Sequence, residues 1–186
     1  ESLMIVGIHQ AHYLPWAGYI DKMLKSDKFV ILDEVQLETP SPMVRNKVLD
    51  ISGHEIYLTV DIFRKGFLEK KANEIEVCNQ TKWQKKSKNF LLLNYKKAPF
   101  FDEIFPLIQP IYEKNYKWLF DVEIDTVEIM RSCFDIDTEI VLQSDLHLDE
   151  TLKNNDLLIA ILKKIGADRY LSGNGARKYM DLRKFN

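Results

Sequence analysis

The sequence of 186 residues lacks long apolar runs and holds only 2 cysteines. Its apolar runs span a few residues, whereas a membrane-spanning helix needs about 20, so we expect no membrane insertion. No charged segment followed by an apolar core opens the chain, so no secretory signal is expected. Cys78 and Cys133 lie far apart without metal-ligand spacing, which predicts reduced, mostly buried thiols and no metal site in a cytoplasmic protein.

The chain also lacks a charge excess of either sign. Lysine and arginine total 26 against 28 acidic residues, a formal net charge of -2, so no overall field attracts nucleic acid. Hydrophobic residues at 46% and charged residues at 29% are typical of a globular protein. Since there is neither a repeat nor a Gly/Ser-rich or Pro-rich linker, we expect a single domain over 1–186.

Short apolar runs alternate with amphipathic segments along the chain. The runs 4–8, 28–33 and 139–143 read as strands buried on both faces, and helices are expected at 17–26 and 156–165. This alternation predicts an α/β fold, a mainly parallel sheet with helices on both faces.

A middle segment, residues 37–135, reads as a hairpin and helical insertion. Two prolines make 38–42 a loop, and a hairpin is expected around Gly53. Strand 73–78 and a helix from Thr81 to Lys97 should follow.

Polar side chains follow each expected strand of the sheet. His9 and Gln10 come after the first strand, Asp33 after the second, and Ser172 and Gly173 after the last. Because ligands of open parallel sheets bind at the carboxyl ends of the strands, these residues predict a ligand site. Ordinary loop composition would also be polar and is the alternative.

Three further groups suit a phosphate-bearing ligand. His12 lies three residues after His9, where a helix N-terminus would favour an anion, although a histidine bonded to backbone is equally compatible. Tyr13 and Trp16 are either a stacking platform for a ring or a hydrophobic plug under the loop. The triplet 45–47 is either a diphosphate clamp or a solvated charged stretch.

One run of residues resembles a known family. The segment 8–19, IHQAHYLPWAGY, resembles the opening I-H-Q-P-x-Y-x-P-W-x-G-Y/F of the WbqC-like proteins. Segments 29–36, 45–47, 58–60, 94–101 and 170–173 continue the resemblance in order and spacing over nearly the whole chain. Ala11 replaces the usual proline, and relatives continue past the last residues here, so we expect a shortened C-terminus.

The resemblance implies a function. WbqC-like proteins are bacterial and are often encoded among genes for surface polysaccharide, the O-antigen of lipopolysaccharide. The resemblance therefore implies a transferase that moves an acyl or glycyl group to a nucleotide-linked amino sugar. This sugar would be a small-molecule partner of the protein. The resemblance implies no particular cofactor.

The site implied in this way has two catalytic residues. His9 would be the general base or a phosphate ligand, and Asp33 would orient it or hold sugar hydroxyls. Substrate contacts are expected from ten residues: Gln10, His12, Tyr13, Trp16, Gln36, Arg45, Asn46, Lys47, Ser172 and Gly173.

Two other functions stay open. The H-x-x-H turn, His9 to His12, resembles the H-x-G-H signature of nucleotidylyltransferases, with the turn from Ser172 to Arg177 as a later phosphate-binding segment. Ala11 departs from the glycine of that signature. The third possibility is a non-catalytic binding subunit of a glycan-assembly complex, docking through an apolar patch at 118–120.

Overall fold

The structure, a computed structural model, describes residues 3–37, 43–173, 175–176 and 180–185. It divides into two compact units. Unit 1 contains residues 1–10, 17–34 and 136–186, and unit 2 contains 11–16 and 35–135. The loop expected at 38–42, and residues Asn174 and Arg177 of the expected phosphate turn, lie outside the described residues.

Unit 1 is built on a four-stranded parallel sheet with the strand order β5-β2-β1-β6. Its strands are β1 (Ile5–Gln10), β2 (Lys28–Leu32), β5 (Glu139–Leu142) and β6 (Arg169–Leu171). Its helices are α1 (Ala17–Leu24), which connects β1 to β2, and α5 (Asn154–Ile165), which connects β5 to β6. The predicted α/β class with a mainly parallel sheet is confirmed.

The centre of this sheet is tightly packed at Gly7 of β1. Gly7 pairs with Phe29 of β2 on one side and Leu171 of β6 on the other. A Cβ atom built on Gly7 would lie 2.5 Å from Ser26 Oγ and 2.8 Å from Cδ2 of Phe29. Because β1 is hydrogen-bonded along both edges, its backbone has little freedom to move away, and glycine is required here.

Unit 2 combines a hairpin with three helices, all packed on one hydrophobic core. The hairpin strands are β3 (Arg45–Leu49) and β4 (Glu55–Thr59), and the helices are α2 (Trp83–Tyr95), α3 (Phe101–Ile108) and α4 (Leu119–Cys133). The largest buried side chains of this core include Tyr13, Met43, Ile75, Trp83, Ile111 and Leu119.

Two local predictions for unit 2 are wrong. The segment 73–78 is no strand: it begins in the 3₁₀-helix Ala72–Glu74 and afterwards makes only isolated bridges. Thr81 does not cap α2, since it ends the 3₁₀-helix Asn79–Thr81, and Lys82 precedes α2 with a φ of 57°. Alternating polarity and a capping residue are local signals, which tertiary packing overrides here.

Two burial predictions are also wrong. Leu119 and Phe120, expected in a surface patch, are buried because α4 turns both toward the core. Both cysteines are half-buried free thiols rather than mostly buried ones. Within the described ranges, no helix has the length and apolar character to cross a membrane.

One carboxyl group of α4 lies inside unit 2. Glu123 is 0% exposed, and neither of its carboxyl oxygens has a hydrogen-bond partner among the described residues. Burial raises the pKa of this carboxyl well above its usual range. The folded protein therefore binds the Glu123 proton more tightly than the unfolded chain does.

We predict that Gly7→Ala destabilises the protein by about 1–3 kcal/mol, because the added methyl group overpacks the site between Ser26 and Phe29. The free energy of unfolding in urea measures this. Gly173→Ala is the matched control, since a Cβ at Gly173 meets no atom within 4 Å. An equal effect of the two substitutions would contradict the packing argument.

We predict that Glu123→Gln flattens the pH dependence of stability. In the wild type, the contribution of Glu123 is fully present below the unfolded pKa of about 4.5 and is lost as pH rises toward the folded value. The variant should match the wild type near pH 4 and be more stable near pH 8, as measured by urea unfolding. Glu103→Gln, at an exposed position of α3, is the control, and an unchanged wild-type slope in Glu123→Gln would contradict the assignment.

Candidate functional site

The carboxyl ends of the four parallel strands of unit 1 meet at one edge of the sheet. His9 and Gln10 end β1, Asp33 follows β2, Ser144 lies two residues after β5, and Ser172 follows β6. The chain moves from β1 to β2 on one side, whereas β6 lies on the other side of β1. This reversal makes the gap between β1 and β6 the switch point at which such sheets bind ligands.

Asp33 connects the end of β2 to the loop after β5 through hydrogen bonds. Its Oδ1 accepts a hydrogen bond of 3.0 Å from the Ser144 backbone N–H, and its Oδ2 accepts one of 2.6 Å from the Ser144 hydroxyl. Asp33 is buried, with 3% of its surface exposed. The side chain therefore has a structural role, because it joins the loops after β2 and β5. Its position in the sequence did not suggest this role.

His9 is a half-buried imidazole held by β1 and α1. Its ring centroid lies 4.9 Å from that of Tyr19, and the two planes are tilted by 55°. Its Nδ1 lies 3.2 Å from the backbone carbonyl oxygen of Gln10. Because a carbonyl only accepts hydrogen bonds, Nδ1 carries the proton, and Nε2 presents the lone pair.

The surroundings of His9 keep its ring neutral. Burial, together with the positive charge of Lys22, lowers the pKa of His9 from 6.5 to about 4. At neutral pH the imidazole is therefore uncharged. An anion bound beside it would raise its pKa and make it a stronger base.

Lys22 is the second charged group at this end of the sheet. It belongs to the buried face of α1, and its Nζ donates a hydrogen bond of 2.6 Å to the carbonyl oxygen of Ile8. The same Nζ lies 5.7 Å from the ring centroid of Tyr170 in β6. Burial lowers the pKa of Lys22 to about 8.

The turn after β6 lies beside the end of β1. Leu171, the last residue of β6, pairs with Gly7 of β1, and Ser172 and Gly173 directly follow it. Ser172 is half-buried, and Gly173 is exposed with open space around it. The backbone N–H of Ala176 donates a hydrogen bond of 3.0 Å to the Gly173 carbonyl oxygen. Gln10, another site residue predicted from sequence, is half-buried at the end of β1.

Three of the other predicted site residues follow β1 and belong to unit 2. His12 is buried, and its ring centroid lies 4.9 Å from that of Trp16, which is 43% exposed. Tyr13 is completely buried, and its hydroxyl lies 2.9 Å from that of Tyr112. Tyr13 thus lies in the core of unit 2, which is the hydrophobic alternative, whereas the Trp16 ring beside His12 is partly exposed to solvent.

The side chains of residues 45–47 lie on alternate faces of β3, as in any strand. The Arg45 guanidinium lies 4.3 Å from the ring centroid of Tyr57, and Lys47 forms an ion pair with Glu55. The Asn46 side chain instead donates to the carbonyl oxygen of Leu14. The three side chains form no single cluster. The remaining predicted residue, Gln36, is exposed and bridges to Lys71 through the backbone.

Unit 2 carries two shallow surface grooves of about 290 and 280 Å³. One lies between α3 and α4 and the other between β4 and α2, and apolar side chains such as Ile129 and Phe90 line them. Neither groove holds a histidine, and in the described part of the chain no three His, Cys, Asp or Glu side chains are arranged to hold a metal ion. The chemically richer surface is therefore the strand edge of unit 1.

Lys22 and Tyr170 are the site residues that sequence reasoning missed. Lys22 lies three residues after Tyr19, between Ile20 and Met23, which are also buried. A lysine on the apolar stripe of a helix is unusual, and this position was the available signal. Tyr170 gave no such signal, because its approach to Lys22 depends on β6 pairing with β1.

Comparison with known proteins places the chain in one family. The model of the WbqC-like protein family matches residues 10–186. The uncharacterized protein Rv1507c of Mycobacterium tuberculosis is 30% identical over 182 residues, which span 97% of this chain and 77% of the mycobacterial protein. No solved structure matches the chain significantly. The sequence resemblance is thereby confirmed, and the chain belongs to the WbqC-like protein family.

Proposed function

We propose that this protein is a transferase of bacterial O-antigen biosynthesis that moves an acyl or glycyl group to the amine of a nucleotide-linked amino sugar. The observation that carries the proposal is the neutral imidazole of His9 at the switch point between β1 and β6. Such a position suits a phosphate-bearing ligand, and a neutral imidazole suits proton transfer. Membership of the WbqC-like family supports the glycan context.

The chemistry requires a proton acceptor beside the amino sugar. The amine attacks the carbonyl carbon of an activated acyl donor, an amide bond forms, and the bond to the leaving group breaks. Nε2 of His9, which holds the lone pair, takes the proton that the amine loses and returns it to the leaving group. Bound phosphate raises the pKa of His9 from about 4 and strengthens it for this step.

Asp33 would act on the substrate from its place directly after β2. Its two oxygens accept hydrogen bonds from the backbone N–H and the hydroxyl of Ser144. A carboxylate at this edge suits a sugar hydroxyl, which donates hydrogen bonds. We therefore assign Asp33 to substrate binding and to the positioning of the loop after β5.

Nucleotidyl transfer is the second candidate, and the strand order favours it. The H-x-x-H turn begins in β1, and the turn at Ser172 follows the neighbouring strand β6, so the two segments border the same switch point. His9 and the backbone of Gly173 would then hold the phosphates of a nucleoside triphosphate. This reaction needs Mg²⁺ with the triphosphate.

A thermal-shift panel separates the two candidates. A UDP-linked amino sugar, ATP and CTP are tested, each with and without Mg²⁺. A ligand at about 100 times its dissociation constant adds roughly 2.7 kcal/mol to the free energy of unfolding. We expect stabilisation by the nucleotide sugar without Mg²⁺. Stabilisation by a triphosphate with Mg²⁺ alone would support nucleotidyl transfer, and no response to any of them would point to the non-catalytic binding subunit.

We predict that Gly173→Val weakens this nucleotide-sugar response while leaving the unliganded protein as stable as the wild type. The space around Gly173 is open, so the added side chain meets no protein atom at its Cβ but occupies the approach to the turn after β6. Thermal midpoints with and without the nucleotide sugar measure both effects. An undiminished response would place the ligand elsewhere.

We predict that His9→Ala lowers turnover about 10²- to 10⁴-fold, the usual contribution of a histidine base. His54→Ala is the control, since His54 is exposed in the hairpin turn of unit 2 and pairs with Asp50. Because the folded pKa of His9 is about 4, kcat/KM should also stay constant around pH 6.5 and fall as pH approaches 4. Near-full turnover of His9→Ala would remove His9 from the mechanism.

A further inference from the structure

The ammonium group of Lys22 is a buried cation without a carboxylate partner among the described residues. Lys22 is 7% exposed, and the carbonyl oxygen of Ile8 accepts its one hydrogen bond within the described ranges. Lysine has three N–H donors, so two of them are left for another acceptor. A buried charge is costly unless it is paired, which makes this group an unusual one to keep inside a fold.

The location of Lys22 in the sheet indicates its role. Its Nζ bonds to Ile8 in β1 and lies 5.7 Å from the ring centroid of Tyr170 in β6, so it contacts both strands that border the switch point. Ile8 directly precedes His9, and the charge of Lys22 reaches the His9 ring. A cation and a neutral imidazole thus lie at the same strand end.

We infer that Lys22 binds a phosphate oxygen of the substrate and forms, with the turn at Ser172, a diphosphate subsite between β1 and β6. The inference rests on the proposed function and names the part of the nucleotide sugar that is anchored. Lysine binds phosphate as a point charge, and strand ends at a switch point are the usual place for it. The half-buried Arg45 and the exposed Lys47 are engaged with Tyr57 and Glu55, so they are the weaker choice for this task.

The electrostatics agree with an anionic occupant. Burial lowers the pKa of Lys22 to about 8, and the contacts of its Nζ in the described part of the chain are the Ile8 carbonyl oxygen and the Tyr170 ring, neither of which is a carboxylate. A phosphate in contact with Nζ would favour the charged form and raise this pKa.

The first test uses the wild-type protein and follows the titration of Lys22 by NMR of its Cε and Nζ nuclei. The probes are inorganic diphosphate, a UDP-linked amino sugar, and uridine as the ligand without phosphate. We expect the first two to raise the pKa of Lys22 from about 8 toward the ordinary lysine value of about 10.5, and uridine to leave it unchanged.

Variants provide a second test. Lys22→Met should weaken binding of the UDP-linked amino sugar about 10- to 100-fold, as expected for a lost charge-assisted hydrogen bond, while Lys22→Arg keeps the charge and part of the affinity. Lys25→Met is the matched control, an exposed lysine of the turn after α1 that pairs with Asp21. The Lys22→Arg spectrum also assigns the Lys22 signal.

The outcomes separate this inference from the proposed function. If the nucleotide sugar stabilises the protein but the pKa of Lys22 stays at about 8, the inference is overturned and the proposed function stands. If inorganic diphosphate raises that pKa while no nucleotide sugar binds, the anion subsite stands and the proposed function falls. If no probe binds, both are overturned.

Discussion

The pairing of β1 with a parallel strand on each side is the constraint on which unit 1 depends. It brings the loops after β1, β2, β5 and β6 to one edge and makes glycine necessary at position 7, where Phe29 and Ser26 approach the backbone. The same pairing brings Tyr170 to Lys22 and Ser172 to the end of β1. The candidate site is therefore a consequence of strand order, and it would not exist in a sheet with β6 elsewhere.

Burial gives this edge its chemistry. His9 and Lys22 lie at the same strand end, and removal from water lowers the pKa of both, to about 4 and about 8. Each therefore favours its neutral form more than it would in solution, and an anion bound beside them would raise the pKa of both. An anionic substrate would thus tighten its own site, strengthening Lys22 as a ligand and His9 as a base.

The sequence predicts the parts of the fold that depend on local pattern. The apolar run at 4–8 and the amphipathic helix ending at Gly166 are visible without a structure, and both are confirmed. The segment 73–78 misleads because its alternation arises from packing of irregular backbone in unit 2. Whether residues 37–135 are an insertion stays a prediction, although unit 2 covers much the same stretch.

The candidate site is predictable only in part, for a similar reason. His9, Asp33 and Ser172 follow strands, so their position is readable from the chain. Other features depend on partners distant in sequence, and these are the hydrogen bonds from Ser144 to Asp33, the separation of Asn46 from Arg45, and the burial of Lys22. The most direct test of the account is a crystal structure with UDP bound. We predict diphosphate density beside His9, Lys22 and Ser172 at the β1–β6 edge, and UDP bound only in the grooves of unit 2 would contradict it.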